Sequence, residues 1–419
     1  MEKNVFKILA CLALMVALAP SKASATTFED DETVVFDGIH YMLNDNDKTA
    51  IAHWAIFPLI RTGVLSKASS YPYPDPICYY DRGENYEALG SLVIPENVGE
   101  YTVTEIGDYS FHNSGVTNVT ISSRVKRIGE GAFIWNDALS SLELPDGVKT
   151  IGDNAFRFCK SLTTVALPSS VQSIGYGCFA DCDMLATFST GDGLTTIPNG
   201  AFARCEKMMT LNIGKSIEKI TGWAFIGCDA LRNINIDENN STFSYTDGKL
   251  MNTSTKTLVY CSNIAENVYR IPAGTIEIGE CALIYNSNVK CLVLPASVSA
   301  FGLNSVAECP NLTSVHAMAA VPPVIDPYNQ VFSNIASHCT LNVPVGSLEL
   351  YKEAPVWKDF KEIVENPTTG VDDIEASSAA ADNNVYSLDG RIVKQNATNL
   401  DDLGEGIYIF QGKKHFIRK

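Results

Sequence analysis

The sequence predicts a curved, right-handed solenoid, in which short parallel β-strands stack one above another. The first observation is a repeated hexamer: "IGDNAF" at 151–156 recurs as "IGYGCF" at 174–179, and related hexamers begin at residues 106, 128, 197, 220, 278 and 301. The second is the interval between neighbouring hexamers, which is almost always 22 or 23 residues. A fixed period of this length is typical of solenoids, whose units bury their apolar face only against neighbouring units.

Each unit carries its own strand and turn signals. In one of them, Leu162, Val165 and Leu167 have the spacing of a short strand with one buried face. Pro168 ends that strand, because proline cannot donate a hydrogen bond to a neighbouring strand. Gly175 then allows the chain to turn. Stacked units of this kind predict parallel strands about 4.8 Å apart.

Two interruptions of the period resemble each other. The segments that start at Phe36 and Thr246 both run Asp-Gly, apolar strand, polar turn, Lys-Thr, apolar strand, so each predicts a β-hairpin. Near the end of the repeats, Ser347 is placed to N-cap a short helix, while Trp357 and Phe360 are expected to seal the core.

The chain therefore divides into six expected segments. These are a signal peptide (1–25), an N-terminal cap with a β-hairpin (26–100), the repeats (101–317) with a hairpin insert (237–275), a C-terminal cap (318–365), a linker (366–384) and a small β tail (385–419). The linker is assigned because residues 366–384 lose all periodicity.

The N-terminus predicts export. Lys3 and Lys7 precede an apolar run at 8–19, and a small-residue site, Ala-Ser-Ala, follows at 23–25. This order is typical of a secretory signal, with cleavage expected after Ala25. No later segment reaches about 18 consecutive apolar residues, so no transmembrane segment is expected in the mature chain. The net charge of −17 disfavours nucleic acid as a partner, because phosphates would be repelled.

Four cysteines recur at intervals of 23 residues, each three residues after a phenylalanine: Cys159, Cys182, Cys205 and Cys228. A structural zinc site needs ligands clustered around one ion, whereas equivalent thiols in a solenoid form a line. Other copies place Ser114, Asn136 and Asn286 at this position, so we interpret it as a ladder of small polar groups that bond to the loop backbone. Disulfides between neighbouring units remain an alternative, although parallel Cβ vectors disfavour them.

The candidate binding residues face outward from the strands. A first column contains Asn118, Ser141, Thr164, Thr187, Thr210, Asn233 and Ser314 and is broken at Cys291; a second contains Thr120, Glu143, Ala166, Ser189, Asn212, Asn235, Val293 and His316. This narrow, nearly uncharged surface suits an extended polypeptide or a glycan, but polar columns also keep an exposed sheet soluble.

Trp135 and Phe158 are a second candidate binding feature. They occupy one position of neighbouring units where other copies carry Asp181, Arg204 or Gly227, so we expect the two rings to be partly exposed and stacked. No zinc-protease, nucleophile-elbow or phosphate-loop motif is found. We therefore expect no catalytic residue, no metal and no cofactor, and a monomer.

The units at 151–162 and 174–185, of the form I-G-x-x-A-F-x-x-C-x-x-L, resemble those of the BspA-type leucine-rich repeat proteins of the Bacteroidetes, as does the closing segment 339–363. The resemblance implies a leucine-rich repeat solenoid that is secreted or held at the cell surface and adheres to a host or matrix protein. A glycan-binding or scaffold component of a polysaccharide-capture system is the alternative. The tail is similar to, but shorter than, type IX secretion sorting domains; a tail that only caps the chain is the other interpretation.

Overall fold

The computed structural model describes residues 33–36, 39–44, 47–53, 89–263, 266, 268–366, 385–387, 392–394, 400, 403, 406–410 and 413–417. The predicted signal peptide (1–25) and nearly all of the predicted linker (366–384) lie outside these residues.

The described chain is a mainly-β parallel solenoid of about 12 turns, which confirms the predicted fold class. One strand of each turn lies in an open, outward-facing sheet surface. These strands are Gly90–Ile94, Val116–Ile121, Ser141–Glu143, Thr164–Ala166, Thr187–Ser189, Thr210–Ile213, Asn233–Ile236, Val268–Arg270, Cys291–Leu294, Ser314–Ala317, Thr340–Val343 and Glu362–Glu365.

A second, lateral ladder is formed by shorter strands. These are Tyr101–Ile106, Arg127–Ile128, Thr150–Ile151, Ser173–Ile174, Thr196–Ile197, Lys219–Ile220, Thr257–Cys261, Glu277–Ile278 and Ala300–Phe301. Two further short strands, Leu283–Ile284 and Val306–Ala307, pair with each other, and Asn97–Val98 pairs with Tyr101–Ile106.

The strand register sorts side chains to two sides. Val165 pairs with Phe188, and Phe188 with Leu211, and all three are buried. Their neighbours Thr164 and Thr187 also pair but point to the open side. Because side chains alternate along a strand, each unit contributes one buried column and two outward columns.

The hexamer phenylalanines form a stack through the first half of the core. Their ring centroids are 5.4 Å apart for Phe111–Phe133 and Phe133–Phe156, 5.3 Å for Phe156–Phe179, 6.3 Å for Phe179–Phe202 and 6.1 Å for Phe202–Phe225. One hydrophobic cluster spans residues 39–260 and another spans residues 258–360. The solenoid therefore has two cores, which meet at the second hairpin.

Six of the eight hexamers have glycine at the second position, which is explained by close approach between turns, whereas Pro198 and Thr221 occupy it in the other two. A Cβ on Gly175 would overlap the backbone nitrogen of Asp153, and one on Gly152 would overlap that of Glu130. Neither glycine has a positive φ. The expectation that Gly175 serves the turn is thus corrected: the residue is glycine because the neighbouring backbone leaves no room for a side chain.

Both predicted hairpins are confirmed. Thr33–Phe36, Ile39–Asn44 and Thr49–His53 are antiparallel, as are Phe243–Thr246, Lys249–Asn252 and Thr257–Cys261. The last strand of each hairpin then pairs in parallel with the next lateral strand, Tyr101–Ile106 or Glu277–Ile278. Each hairpin therefore supplies one lateral strand of the solenoid.

The C-terminal end is closed by aromatic side chains. A short helix, α1 (Leu348–Glu353), and three 3-10 turns (Pro327–Asn329, Ala336–His338 and Trp357–Asp359) surround the last strands. Trp357 and Phe360 are buried there, which confirms that they seal the core. Ser347 occupies the N-cap position of α1, but its side chain makes no capping hydrogen bond.

The tail strands Val385–Ser387, Ile392–Lys394, Gly406–Phe410 and Lys413–Ile417 form an antiparallel sheet. Within the part of the chain that the structure covers, no helix has the length and apolar character needed to cross a membrane.

Candidate functional site

The four repeated cysteines hold neighbouring turns together. Each thiol donates to the carbonyl of a phenylalanine in the preceding unit: Cys159 to Phe133 at 3.3 Å, Cys182 to Phe156 at 3.2 Å, Cys205 to Phe179 at 3.1 Å and Cys228 to Phe202 at 3.0 Å. At the same position, the Asn136 side-chain amide donates to the Phe111 and Phe133 carbonyls at 2.7 and 2.8 Å. Ser114 donates to the Phe111 carbonyl at 2.7 Å. The predicted ladder of small polar groups is confirmed.

The thiols are inert in this setting. The ten cysteines that the structure describes are all buried and free, which contradicts the alternative of disulfides between neighbouring units for these residues. Burial raises the pKa of Cys182 and Cys228 well above the ordinary range of a thiol. Since the thiolate is the reactive and metal-binding form, these groups serve packing and hydrogen bonding.

The outward columns of the second to seventh turns form a surface that we name the N-terminal open face. Its residues are Asn118, Ser141, Thr164, Thr187, Thr210 and Asn233 in the first column and Thr120, Glu143, Ala166, Ser189, Asn212 and Asn235 in the second. All twelve are exposed or half-buried. The structure thus brings six of the seven predicted first-column residues onto one surface.

Hydrogen bonds order one end of this face. The Asn235 amide donates to the Asn212 side-chain oxygen at 2.8 Å, and the Asn212 amide donates to the Ser189 hydroxyl at 2.8 Å. A row of fixed donors and acceptors loses less side-chain entropy when it binds a ligand than free side chains would. The row is therefore suited to polar recognition.

The other end of the N-terminal open face has a depression of about 340 Å³. Asn118, Thr120, Ser141 and Glu143 line it, together with the strand backbone. Glu143 carries the only charge in the two columns, so hydrogen-bonding groups dominate the chemistry of this surface.

Two methionines at the flank of this face were missed by the sequence interpretation. Met184 and Met209 are 51% and 52% exposed, and each lies in the short segment that leads into a strand of the open face. Methionine is adaptable and is enriched in protein–protein interfaces. The available signal was a large apolar residue at two positions where other units carry small or polar ones, such as Ser161 and Lys207 for Met184 and Ala186 and Arg232 for Met209.

The seventh predicted residue, Ser314, lies on a different surface, which we name the C-terminal open face. Its residues are Val268, Cys291, Ser314, Thr340 and Glu362 in the first column and Arg270, Val293, His316, Asn342 and Val364 in the second. The Ser314 hydroxyl is 3.0 Å from His316 Nε2 and accepts from the Asn342 amide at 3.1 Å. Burial, and then the charge of Arg270, lower the pKa of His316.

Two outward positions of the C-terminal open face are closed. Cys291 and Val293 are each only 6% exposed, although their register places them on the outward side. They pack with Val268 and Met318 in a small apolar cluster separate from both cores. Ser314 itself is half-buried, like Thr187 and Thr210 of the N-terminal open face, so the two faces differ at Cys291 and Val293.

Trp135 and Phe158 stack as predicted, with ring centroids 3.8 Å apart and an interplanar angle of 14°, and both are half-buried. The Arg157 guanidinium also lies over the Phe158 ring, 4.7 Å from its centroid. Much of the Phe158 ring is therefore already in contact within the protein, which leaves less aromatic surface for a sugar.

The repeat position that Trp135 and Phe158 share has a left-handed backbone conformation. Trp135, Phe158 and Arg204 have φ of 65°, 60° and 61°, and Gly227 has φ of 71°. Asp181, at the same position, is 3% exposed, with its carboxylate 3.0 Å from Arg157 Nε and 3.1 Å from Arg204 Nε. The expectation that charge at this position means exposure is therefore wrong for Asp181, because two arginines neutralise it.

The residues covered by the structure contain no group of three or more His, Cys, Asp or Glu side chains arranged to bind a metal ion. What the arrangement offers instead is an exposed, hydrogen-bonding sheet surface with apolar flanks. Such a surface binds by shape and by many distributed contacts.

Comparison with known proteins assigns the family. The model of the BspA type leucine-rich repeat region matches in six copies, over residues 84–202, 128–248 and 196–337, which together cover more than half of the chain. No curated protein matches the sequence.

Three solved structures of bacterial proteins are similar. A leucine-rich cell surface protein from Faecalibacterium prausnitzii is 19% identical, with a TM-score of 0.49, over 83% of this chain and 97% of that one. The pneumococcal vaccine antigen PcpA is 16% identical, with a TM-score of 0.47, over 83% and 100%. A leucine-rich repeat protein from Bacteroides ovatus is 20% identical, with a TM-score of 0.47, over 80% and 79%. On the family match, the chain belongs to the BspA type leucine-rich repeat family.

Proposed function

We propose that this chain is an exported surface protein that recognises a host or matrix protein through its N-terminal open face. Members of the family are bacterial surface proteins, and leucine-rich repeat domains are protein-interaction modules. The observation that carries the proposal is the exposure of Ser, Thr and Asn columns beside Met184 and Met209. This mixture of polar groups and exposed methionine favours a protein over a sugar as the ligand.

The proposal also assigns roles to the N-terminal and C-terminal segments. Residues 1–25 direct export with cleavage after Ala25, and the tail from residue 385 directs secretion or anchoring through the type IX machinery. The repeats between them carry the binding function and no catalytic activity, in keeping with a family of repeat proteins that are typically non-enzymatic.

Glycan capture is the second candidate function, and the half-buried Trp135–Phe158 stack is the observation that favours it. Aromatic rings are common platforms for sugars, but here Arg157 already lies over one of the two rings. If this function is correct, Trp135→Ala should abolish binding to a glycan array.

One experiment separates the two functions. The full mature chain and its Trp135→Ala variant are applied to matrix-protein and glycan arrays under the same conditions. We expect both proteins to bind the same matrix proteins. Binding to glycans alone, lost in Trp135→Ala, would replace the proposal by the second candidate. Binding to neither array, or turnover of any arrayed substrate, would refute both.

A further inference from the structure

The junction between residues 219–236 and 257–284, which we name the seam, differs from every other contact between turns. From residue 109 to residue 226, each lateral turn donates backbone hydrogen bonds to the next one, as in Phe156 N to Cys178 O at 2.9 Å and Phe202 N to Ala224 O at 3.0 Å. Phe225 and Gly227 are the next donors in this series. Neither donates a backbone hydrogen bond to any described residue across the seam.

The second hairpin causes this break. Where the other units fold into a lateral turn, Thr257–Cys261 continues as an extended strand. It pairs with Lys249–Asn252 and Glu277–Ile278 on the far side of the seam. The chain therefore offers Phe225 and Gly227 no turn whose carbonyls could accept.

Both strand ladders also stop at the seam. Among the described strands, Lys219–Ile220 pairs only with Thr196–Ile197, and Asn233–Ile236 only with Thr210–Ile213. On the other side, Val268–Arg270 begins a new sheet. Other sheet breaks in the solenoid are bridged by turn hydrogen bonds, such as Phe179 N to Ala201 O at 2.9 Å, but this one is not.

Side chains connect the two sides instead. The Tyr260 hydroxyl donates to the Cys228 and Leu231 carbonyls at 3.3 and 3.2 Å, and its ring packs edge-on against Phe225. The Trp223 indole nitrogen donates to the Glu280 carboxylate. A partly open pocket of about 70 Å³ lies at the seam and is lined by Trp223, Phe225, Tyr260 and Glu280.

We infer that the solenoid consists of two cooperative folding units that meet at the seam, and that the seam is where the folded chain opens first. The first unit carries the hydrophobic cluster of residues 39–260 and the second that of residues 258–360. The second hairpin contributes to both units: Phe243, Leu250 and Tyr260 pack in the first core, while its last strand starts the lateral ladder of the second unit. In a solenoid, stability is the sum of the units and the interfaces between neighbours, so the weakest interface sets the boundary of cooperativity.

Buried thiols report on the two units separately. Cys159 and Cys205 lie in the first core, whereas Cys309 and Cys339 lie in the second. The full chain is equilibrated at increasing urea concentration and pulsed with a thiol reagent, and labelled peptides are quantified by mass spectrometry. We expect one midpoint for Cys159 and Cys205 and a different one for Cys309 and Cys339.

If the two pairs of cysteines have the same urea midpoint in the native chain, the Phe156→Ala variant decides whether the units are separate. This substitution removes a ring from the first core only. If the inference holds, the midpoint of Cys159 and Cys205 falls and that of Cys309 and Cys339 is unchanged. If all four midpoints move together, the solenoid is one cooperative unit and the inference is overturned.

Amide exchange on the native chain locates the opening. We expect the Phe225 and Gly227 amides to exchange on the order of 100-fold faster than those of Phe202 and Arg204. Glu280→Ala should raise the exchange rate at the seam further. Glu308→Ala is the matched control, because it removes a similar bond, Asn334 Nδ2 to Glu308 Oε1 at 2.6 Å, away from the seam. Equal protection of all four amides would contradict the inference.

Discussion

The two open faces are built on the same strand register, yet they differ in chemistry. On the N-terminal open face, the outward positions hold hydroxyls, amides, one methyl group (Ala166) and a single carboxylate, and none is buried. On the C-terminal open face, Cys291 and Val293 are buried at equivalent positions, and Ser314 is engaged by His316 and Asn342. The inward positions are buried on both faces, so the outward positions can differ in chemistry and burial while the strand register stays the same.

The largest expected effect tests whether the two regions are energetically separate. Phe156 lies between Phe133 and Phe179 and is fully buried, whereas Phe301 packs against Phe332 and Trp357 in the second core. Replacing either by Ala should lower the free energy of unfolding of its own unit by about 3–5 kcal/mol, because a cavity is left in a packed core. Urea unfolding followed by thiol labelling measures both. If either variant lowered the free energy of unfolding of both units equally, the two regions would not be energetically separate.

The next effect concerns the polar ladder that holds the first unit together. Asn136→Ala removes the amide donor to the Phe111 and Phe133 carbonyls, which keep Ser114 and Cys159 as donors. It also leaves the buried Val116 amide without the acceptor that it has in the native chain. The expected loss is about 2–3 kcal/mol of unfolding free energy, against about 1 kcal/mol for Cys159→Ala, which removes one weak donor. Chemical denaturation compares the two variants. A larger loss for Cys159→Ala would show that the ladder is held by something other than these hydrogen bonds.

The buried thiols predict sensitivity to alkali. Burial raises the pKa of Cys205, so the folded state keeps its proton at a pH where the unfolded chain, with a thiol pKa of about 8.5, ionises. The contribution of the thiol to the free energy of unfolding is therefore fully present below a pH of about 8.5. It falls as the pH rises above this value, by about 1.4 kcal/mol per pH unit for each such thiol. In Cys205→Ser this contribution disappears, so denaturation between pH 8.5 and 9.5 should show a shallower loss. Thr120→Ala, which changes no thiol and removes no group that shifts the pKa of a thiol, should keep the slope of the native protein; a change in both variants would assign the slope to another group.

The smallest effect sharpens the interpretation of the aromatic pair. Phe158 has the left-handed φ of 60°, which disfavours any residue except glycine. Phe158→Ala should lose about 1 kcal/mol of stacking with Trp135. Phe158→Gly should lose almost nothing, because relief of the backbone compensates. Thermal unfolding distinguishes them, and a glycine variant less stable than the alanine variant would show that the backbone is not strained there.

Much of the fold was predictable, because the same repeat pattern occurs eight times in the sequence. The period of 22 or 23 residues fixes the stacking, and the alternation in strands such as Thr164–Ala166 fixes which side chains point outward. Ser114, Asn136 and Cys159 occupy equivalent positions of the repeat. Their shared hydrogen-bonding role was therefore predictable from the sequence.

The rest depends on contacts between residues far apart in sequence. That Thr257–Cys261 would take the place of a lateral turn is not encoded in its own residues, since a strand signal does not specify its partner. Burial of Val293 needs Val268 and Met318 beside it, and burial of Asp181 needs two arginines from neighbouring units. The left-handed backbone conformation at the position of Trp135 could have been predicted from the sequence. Other copies place Asn113 and Gly227 there, and these residue types adopt a positive φ readily.

The most direct test of the central claim compares the two open faces in binding. The native chain, a Thr187→Lys/Thr210→Lys variant of the N-terminal open face and a Thr340→Lys variant of the C-terminal open face are measured against the same matrix-protein array. All three positions are half-buried threonines of the first column, so each lysine replaces a residue of the same type and similar exposure. We predict that the native chain and Thr340→Lys bind equally, while the double variant binds at least about tenfold more weakly, a loss of roughly 1.4 kcal/mol or more. Loss of binding in Thr340→Lys with retention in the double variant would contradict the account.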